Sequence, residues 1–458
     1  MSDYFRRADV NALLSAYPIG DAFLRTTARM SRDELRALQE NRFLTVVRRG
    51  WEIPFYRRLW SAAGLEPGDI TKLDDLEKLP PFSKTELMQS VEDHPPFGDY
   101  HGLGSDASLG RRGAVFHTTS GTTGTPQPLF FGPWDREVQN VLLARAYLLQ
   151  GLRDSDVVHS IYGFGMVNGG HYVREAVLHF TNALYLPAGT GLETPSVNQV
   201  DLMRRYGATV LVGFVDYLKR LAEVALEQGL TPGKDIPVRM ISGHVGQENR
   251  DALSAMWGGA SIFDWYGVGD TGTIAAEGPD HDGLYLWEDA HLVETLDPDT
   301  GDPQPEGVSG SLCVTVLFKH DIYPVIRFNT HDVTRILPAG KGDVRFRRMA
   351  GFEGRADAMV KLRGINVYPT AIGTLLDERN ETTGEYVCQV ERAGTRDEMT
   401  VVVEVRGTAG EGLEQDLRAF LRARLGVEVG VSLVGPGETA ALTLVESRQK
   451  PIRLIDHR

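Results

Sequence analysis

The sequence predicts an α/β protein in two parts: a large N-terminal domain of layered, mostly parallel sheets with a β-rich subdomain, then a small α+β C-terminal domain. Three observations predict it. The chain has 458 residues, beyond the size at which one hydrophobic core usually stops growing, so two or more domains are expected. After residue 115, short apolar runs alternate with stretches of helical period, the pattern of strands joined by crossover helices. A polar, glycine-containing joint after Gly354 precedes a last segment with β-like runs and a helix of its own.

The elements follow in order. The first hundred residues read as helical, with capping-box signals at Ser31-Arg-Asp-Glu34 and Ser83-Lys-Thr-Glu86 on either side of the breaker Pro80-Pro81. Asp156–Tyr162, Ala183–Leu186, Thr209–Gly213 and Val238–Ser242 read as buried strands, and Tyr217–Gln228 as a helix between two of them. From Gly283 to Arg335 the pattern is strand-rich, with a turn at Asp297-Pro-Asp-Thr-Gly301. Met399–Val405 reads as a strand and Gly412–Leu425 as a helix of the last domain. The boundary falls near Arg355–Asp357, giving domains 1–354 and 355–458.

Composition narrows the function classes. Hydrophobic residues make up 42% and charged residues 24%, an ordinary balance for a folded, water-soluble chain. The net charge of −14 argues against nucleic acid and anionic membrane as partners. It leaves room for a locally positive nucleotide site built from backbone N–H groups and a few cations. Cys313 and Cys388 stand far apart, without disulfide or zinc spacing, and read as buried thiols. Charges in Met1–Ala16 interrupt any apolar run, which argues against a secretory signal. No later segment is apolar for long enough to span a bilayer, so a cytoplasmic enzyme is expected.

The segment His117-Thr-Thr-Ser-Gly-Thr-Thr-Gly-Thr-Pro126 carries the strongest chemical signal. Its glycines permit tight turns, and its amides and hydroxyls can donate to phosphate oxygens. No Gly-Lys-Ser/Thr follows, so it is not a Walker loop.

Further motifs lie along the chain in a fixed order. They are Tyr162-Gly-Phe-Gly165, Asp264-Trp-Tyr-Gly267, Gly283-Leu-Tyr-Leu-Trp-Glu-Asp289, Pro324-Val-Ile-Arg-Phe-Asn-Thr-His-Asp332, Gly354-Arg-Ala-Asp357, Arg363-Gly-Ile-Asn-Val-Tyr-Pro369 and Lys450 before Asp456. Together they resemble the phenylacetate–CoA ligase branch of the adenylate-forming superfamily, which includes acyl-CoA synthetases, adenylation domains and luciferases. The resemblance runs through nearly the whole chain.

It implies an enzyme that activates an aryl or arylacetic acid with ATP as acyl-AMP and transfers the acyl group to CoA, with Mg²⁺ as the metal. Ser120, Gly121, Thr122, Thr123 and Gly124 resemble the phosphate-binding loop. Asp332 corresponds to the carboxylate that accepts from the ribose hydroxyls and Arg355 to an arginine on the nucleotide. Tyr266 corresponds to the aromatic beside adenine, with Asp264 and Trp265 next to it; an aromatic there is also an ordinary strand residue. Lys450 resembles the lysine that reaches the α-phosphate during adenylation, although a lysine near a C-terminus is by itself usually a solvated group. Arg363 and Gly364 match the loop lining the acceptor tunnel, and Asp357 the hinge of a small, mobile C-terminal domain. A homodimer is a family expectation.

Two departures stand out. Asp270 occupies the position of a glutamate that helps hold magnesium, one methylene shorter. Gly243-His-Val-Gly246 replaces a Gly-Ala-Glu stretch, which puts His244 at a pocket wall. There it either meets a polar group of the substrate or is satisfied by a backbone carbonyl. Tyr162, Phe164 and Phe214 supply an aromatic pocket or the core behind one. His171, His291, His320 and His331 form no local metal pattern and stay unassigned. The departures keep two alternatives open: an adenylating enzyme with another acceptor, such as an amide-forming ligase or a nitrite-dependent arylamine diazotase, and a nucleotide-binding regulatory protein without catalysis.

Overall fold

The computed structural model describes residues 4–103, 113–119, 126–246, 248–356, 359–363, 365–393, 396–407, 410, 412–444 and 451–458. Ser120, Gly121, Thr122, Thr123 and Gly124, with Asp357, Gly364 and Lys450, lie outside the described residues.

Both capping boxes start helices. Ser31 caps Arg32–Trp51 and Ser83 caps Lys84–Asp93, and in each case the glutamate three residues on accepts from the cap's own N–H. A short hairpin follows: β1 (Val115–Thr118) pairs antiparallel with β2 (Pro128–Phe131).

The alternation after residue 150 produces β3 (Val157–Ser160), β4 (Leu184–Pro187), β5 (Val210–Phe214), β6 (Met240–His244) and β7 (Ser261–Val268). These five run parallel in the spatial order β4-β3-β5-β6-β7. Helices such as Gly169–Phe180 and Val215–Glu227 make the crossovers. Leu218, Leu221, Ala222 and Ala225 form the buried stripe of the second helix and pack with Ile241, Leu253 and Trp257.

Beyond β7 the pairing changes sense. β8 (Gly272–Glu277), β9 (Leu284–Leu286), β10 (His291–Leu296), β11 (Ser309–Val316), β12 (Phe328–Leu337), β13 (Arg348–Met349) and β14 (Gly354–Arg355) join through antiparallel pairings. The β-rich region expected as a subdomain is therefore continuous with the parallel strands, in one mixed sheet. Only Gly269–Thr271 separate β7 from β8, too few residues for a crossover helix, so β8 returns antiparallel on the free edge of β7.

The last part forms its own sheet and core. A hairpin of β15 (Val360–Leu362) and β16 (Ile365–Val367) precedes a four-stranded sheet. That sheet comprises β17 (Thr382–Ala393), β18 (Arg396–Val405), β19 (Gly430–Val434) and β20 (Leu454–Asp456), in the order β19-β18-β17-β20. Val360, Leu362, Tyr386, Cys388, Val401, Leu417 and Leu421 bury together, joining the hairpin, the sheet and the helix Leu413–Leu425. The fold is thus an α/β protein with a large mixed-sheet domain and a small C-terminal one. No helix among the described residues is long and apolar enough to cross a membrane.

Candidate active site

The ends of the glycine-rich segment are fixed where β1 meets β2. Thr119 N–H donates to the Gln127 carbonyl at 3.1 Å, and Gln127 N–H donates to Thr119 Oγ1 at 3.1 Å. The Gln127 side chain carries this anchor into the core, since its Nε2 donates to Asp270 Oδ1 at 2.6 Å. Tyr323 OH donates to the same oxygen at 2.8 Å, and Lys319 Nζ donates to the Asp270 backbone carbonyl at 2.9 Å. Asp270, Lys319 and Asp135 are all buried. Burial raises the Asp270 pKa and pushes that of Asp135 up to about 7, while the Lys319 ammonium opposes both shifts. Lys319 is itself pushed down to about 8 by burial. Its ammonium lies 4.2 Å from the Tyr323 ring centroid and 5.0 Å from that of Phe131.

A second group forms where β7, β12 and β14 meet. Tyr266 OH donates to Asp332 Oδ2 at 2.5 Å, and Arg355 Nη1 donates to Asp332 Oδ1 at 2.9 Å. One carboxylate is thus gripped at both oxygens by groups from two other strands. Its position comes from a break in the β11–β12 ladder, where the register slips between Ser311 and Cys313. His331 enters the left-handed region at φ 60°, and its N–H donates to Asn329 Oδ1 at 2.9 Å. Arg355 lies on β14, opposite Asp332 in the ladder, and so belongs to the large sheet.

Alternation along β7 sends Trp265 to the opposite face from Tyr266. Its ring lies 4.3 Å from His244, which stacks on Phe214 at 5.3 Å and 26°, with Tyr162 5.0 Å from Phe214. The structure therefore gathers Tyr162, Phe214, His244 and Trp265 at the C-terminal ends of β3, β5 and β6. Phe164 stands apart, with its ring 5.6 Å from His171. His244 Nδ1 donates to the Trp265 carbonyl at 3.0 Å, which fixes the tautomer and ring plane. The Tyr162 hydroxyl and Trp265 Nε1 are buried and accept or donate no hydrogen bond among the described residues.

Glycine is obligatory in this wall. Gly213 and Gly243 pair across β5 and β6, and a Cβ on Gly243 would stand 1.9 Å from the Gly213 carbonyl oxygen. Asp264, expected beside the nucleotide, spends its carboxylate on the turn after β6: Oδ1 accepts from Val245 N–H and Oδ2 from Gly246 N–H, both at 3.0 Å. Burial pushes its pKa up to about 7 against those two bonds. Asp264 also borders a cavity of about 440 Å³ with Gly246, Arg250, Glu277 and His281, whose lining includes neither Asp332 nor His244.

In the small domain, Arg363 turns the β15–β16 hairpin with φ 52°. A two-residue hairpin turn asks for positive φ, where glycine or asparagine is cheaper than arginine. Lys361, Arg363, Arg392, Arg396 and Asp397 line a cavity of about 520 Å³. Sequence reasoning singled out Arg363 of this cleft but missed Lys361, Arg392 and Arg396 beside it, together with Lys319 and Asp135. Asp135 in the first turn after Pro133 was the available signal for one of them; nothing local marked the others.

Comparisons with known proteins fit this geometry. Residues 364–458 match the AMP-binding enzyme C-terminal domain family. Phenylacetate–coenzyme A ligase of Aromatoleum evansii is 30% identical over 444 residues, covering 93% of this chain and 96% of that protein. The chain belongs to the phenylacetate–CoA ligase family. It is an ATP-dependent, AMP-forming acid–CoA ligase of the adenylate-forming superfamily. A solved 2-hydroxyisobutyryl-CoA ligase, in the postadenylation state with 2-HIB-AMP, superposes on this ligase with TM-score 0.82 and 26% identity, covering 94% of this chain and 91% of that one. The same enzyme with 2-HIB-AMP and CoA in the thioesterification state gives 0.67 at 28% identity, covering 93% and 90%.

Proposed function

We propose that this ligase activates an aryl or arylacetic acid and passes the acyl group to CoA. The observation that carries the reading is the pair of sites on the two faces of β7. Tyr266, Asp332 and Arg355 form a polar clamp on one face, and Tyr162, Phe214, His244 and Trp265 an aromatic wall on the other. A bidentate carboxylate suits a ribose diol, because it only accepts. An aromatic wall with few polar groups suits a flat acid.

In the first step the acid carboxylate oxygen bonds to the α-phosphorus of ATP and the bond to the pyrophosphate oxygen breaks. Ser120, Gly121, Thr122, Thr123 and Gly124 would donate to the departing phosphates, with their flanks held by Thr119 and Gln127. Lys450 would follow the charge as it moves between carboxylate and phosphate, a role suited to a point cation on a flexible stem. Both hydrogen bonds to the Asp270 side chain among the described residues fall on Oδ1. One carboxylate oxygen is a sufficient protein ligand for a magnesium ion that takes its other ligands from phosphates and water. Asp270 would hold that ion, which when bound neutralises phosphate charge.

In the second step a CoA thiolate bonds to the acyl carbon and AMP leaves. AMP departs more readily than the oxide of a free carboxylate, which is the reason for activating first. With Arg355 paired to Asp332 in the large sheet, the part that would move between the steps begins after it, about a hinge at Asp357, turning Arg363 and Gly364 toward the tunnel. The cationic cleft around Arg363 supports a polyanionic acceptor such as CoA over a neutral amine.

The test is pyrophosphate release with Mg-ATP over a panel of aryl acids, and of arylamines with nitrite, each with and without CoA. Release with an acid, a thioester product, loss in Lys450→Ala and a KM for ATP raised about tenfold in Tyr266→Phe are expected. Release only with arylamine and nitrite, or amide formation without CoA, would replace the acceptor assignment; silence across the panel with tight ATP binding would replace the enzyme reading.

A further inference from the structure

A band of charged side chains joins the two domains at the first turn of the Val215–Glu227 helix. Arg453 Nη2 lies 3.6 Å from Asp216 Oδ1 on that helix. The same guanidinium donates to both carboxylate oxygens of Glu385 in the small domain, at 2.8 and 3.2 Å, and to the Tyr386 carbonyl at 2.9 Å. Its carbon stands 4.6 Å from the Tyr386 ring centroid. A second strut runs beside it: Lys219 Nζ donates to Glu248 at 2.6 Å and lies 3.9 Å from Asp377 of the small domain.

The placement matters because of what adjoins each end. Asp216 comes two residues after Phe214 of the aromatic wall, and Arg453 three residues after Lys450. Arg453 leads directly into β20, and its carbonyl accepts from Cys388 N–H at 3.0 Å, which ties the segment to β17. Among the described residues, Lys219 and Arg453 are the cations that Asp216, Glu248, Asp377 and Glu385 surround in this band, so losing either leaves carboxylates facing one another across the joint. Burial holds both Asp216 and Asp377 above the usual carboxylate range, with Arg453 and Lys219 opposing that rise.

We propose that Arg453 is a positioning residue for the adenylation step: its grip on Asp216 holds the segment that follows Lys450 against the acyl pocket, and it must release before the small domain presents Arg363 to the acceptor. This rests on the roles given above to Lys450 and to domain movement. A planar fork can hold Glu385 and reach Asp216 at once, which an ammonium cannot reproduce. The chain superposes more closely on the postadenylation than on the thioesterification state of 2-hydroxyisobutyryl-CoA ligase, which supports assigning the contacts to the arrangement before acceptor transfer.

The experiment uses the full chain with a fluorophore pair on Asp33→Cys and Glu414→Cys, comparing Arg453→Met, Arg453→Lys and Asp216→Asn. Asp216→Asn is isosteric and leaves the Arg453–Glu385 pair whole, so it separates release of the joint from misfolding. Transfer efficiency is expected to shift in Arg453→Met and Asp216→Asn. With phenylacetate as the probe, ATP–pyrophosphate exchange is expected to fall about tenfold in both, with thioester formation from supplied phenylacetyl-adenylate and CoA within about twofold of the parent. Arg453→Lys is expected between the parent and Arg453→Met. Unchanged transfer efficiency in both variants, or equal losses in the two half-reactions, overturns the proposal. Exchange that survives Lys450→Ala, or no exchange with phenylacetate or any other acid of the panel, would count against the chemical reading, and the fluorescence result then decides the joint alone.

Discussion

Gly243 shows how little freedom a single position has here. Its α-hydrogen faces the Gly213 carbonyl oxygen, where any Cβ would penetrate to 1.9 Å. The obstacle is backbone within a sheet, so no side chain can yield. Gly243→Ala is expected to destabilise the protein by about 3 kcal/mol, read as a lower urea midpoint with an unchanged slope. Sequence reasoning placed Gly243 and His244 at a pocket wall, and the structure puts His244 among aromatic rings with Nδ1 on a backbone carbonyl. That bond answers the backbone half of the expectation for His244, while the substrate half rests on the assay panel. Lys319 was unreadable, because what makes it unusual is burial between Asp135 and Asp270, both distant in sequence. Asp264 was legible as a motif residue, yet its contacts with Val245 and Gly246 depend on how β6 and β7 pair.

At the scale of elements, capping boxes and apolar runs were the reliable signals. Ser31, Ser83 and the four runs that became β3, β4, β5 and β6 needed only local chemistry. Continuity of the antiparallel strands with the parallel ones was hidden, since which edge a strand joins is a tertiary decision. The β15–β16 hairpin and the β17–β18 pair bring Lys361, Arg363, Arg392 and Arg396 together from separate segments. If phosphates of the acceptor bind there, replacing Arg392 and Arg396 by alanine raises the KM for CoA by about tenfold or more and leaves ATP–pyrophosphate exchange unchanged. An unaltered KM for CoA assigns the cleft no part in acceptor binding.

Stability of the whole molecule carries the imprint of its buried histidines. Burial pushes His291 and His117 down to about 4. Between that value and the unfolded value near 6.5, the unfolded chain binds more protons than the native one, so these groups make stability fall as pH falls through the window. Each contributes at most about 3 kcal/mol to that loss. Urea unfolding at pH 6.5 and 4.5 is expected to show a smaller difference between the two pH values in His291→Gln than in the parent; an equal difference would mean that His291 is protonated in the native state. The two-part architecture was legible at this scale because the last hundred or so residues carry apolar runs enough for a core of their own. The bridge from Asp216 to Arg453 was not, since neither residue stands in a motif.

β7 lends one edge to crossover strands and the other to hairpins, and its neighbouring side chains Trp265 and Tyr266 look out on opposite faces. A change of side-chain volume at Trp265 would then disturb Tyr266 through the shared backbone, so altering the acid pocket from that strand would alter the Tyr266–Asp332 contact with it. Phe214 ends β5, two strands away from β7, whereas His244 is tied to β7 through the Trp265 carbonyl. Divergence among relatives that differ in substrate should therefore gather at Phe214, and a library built to redirect the enzyme would best begin there.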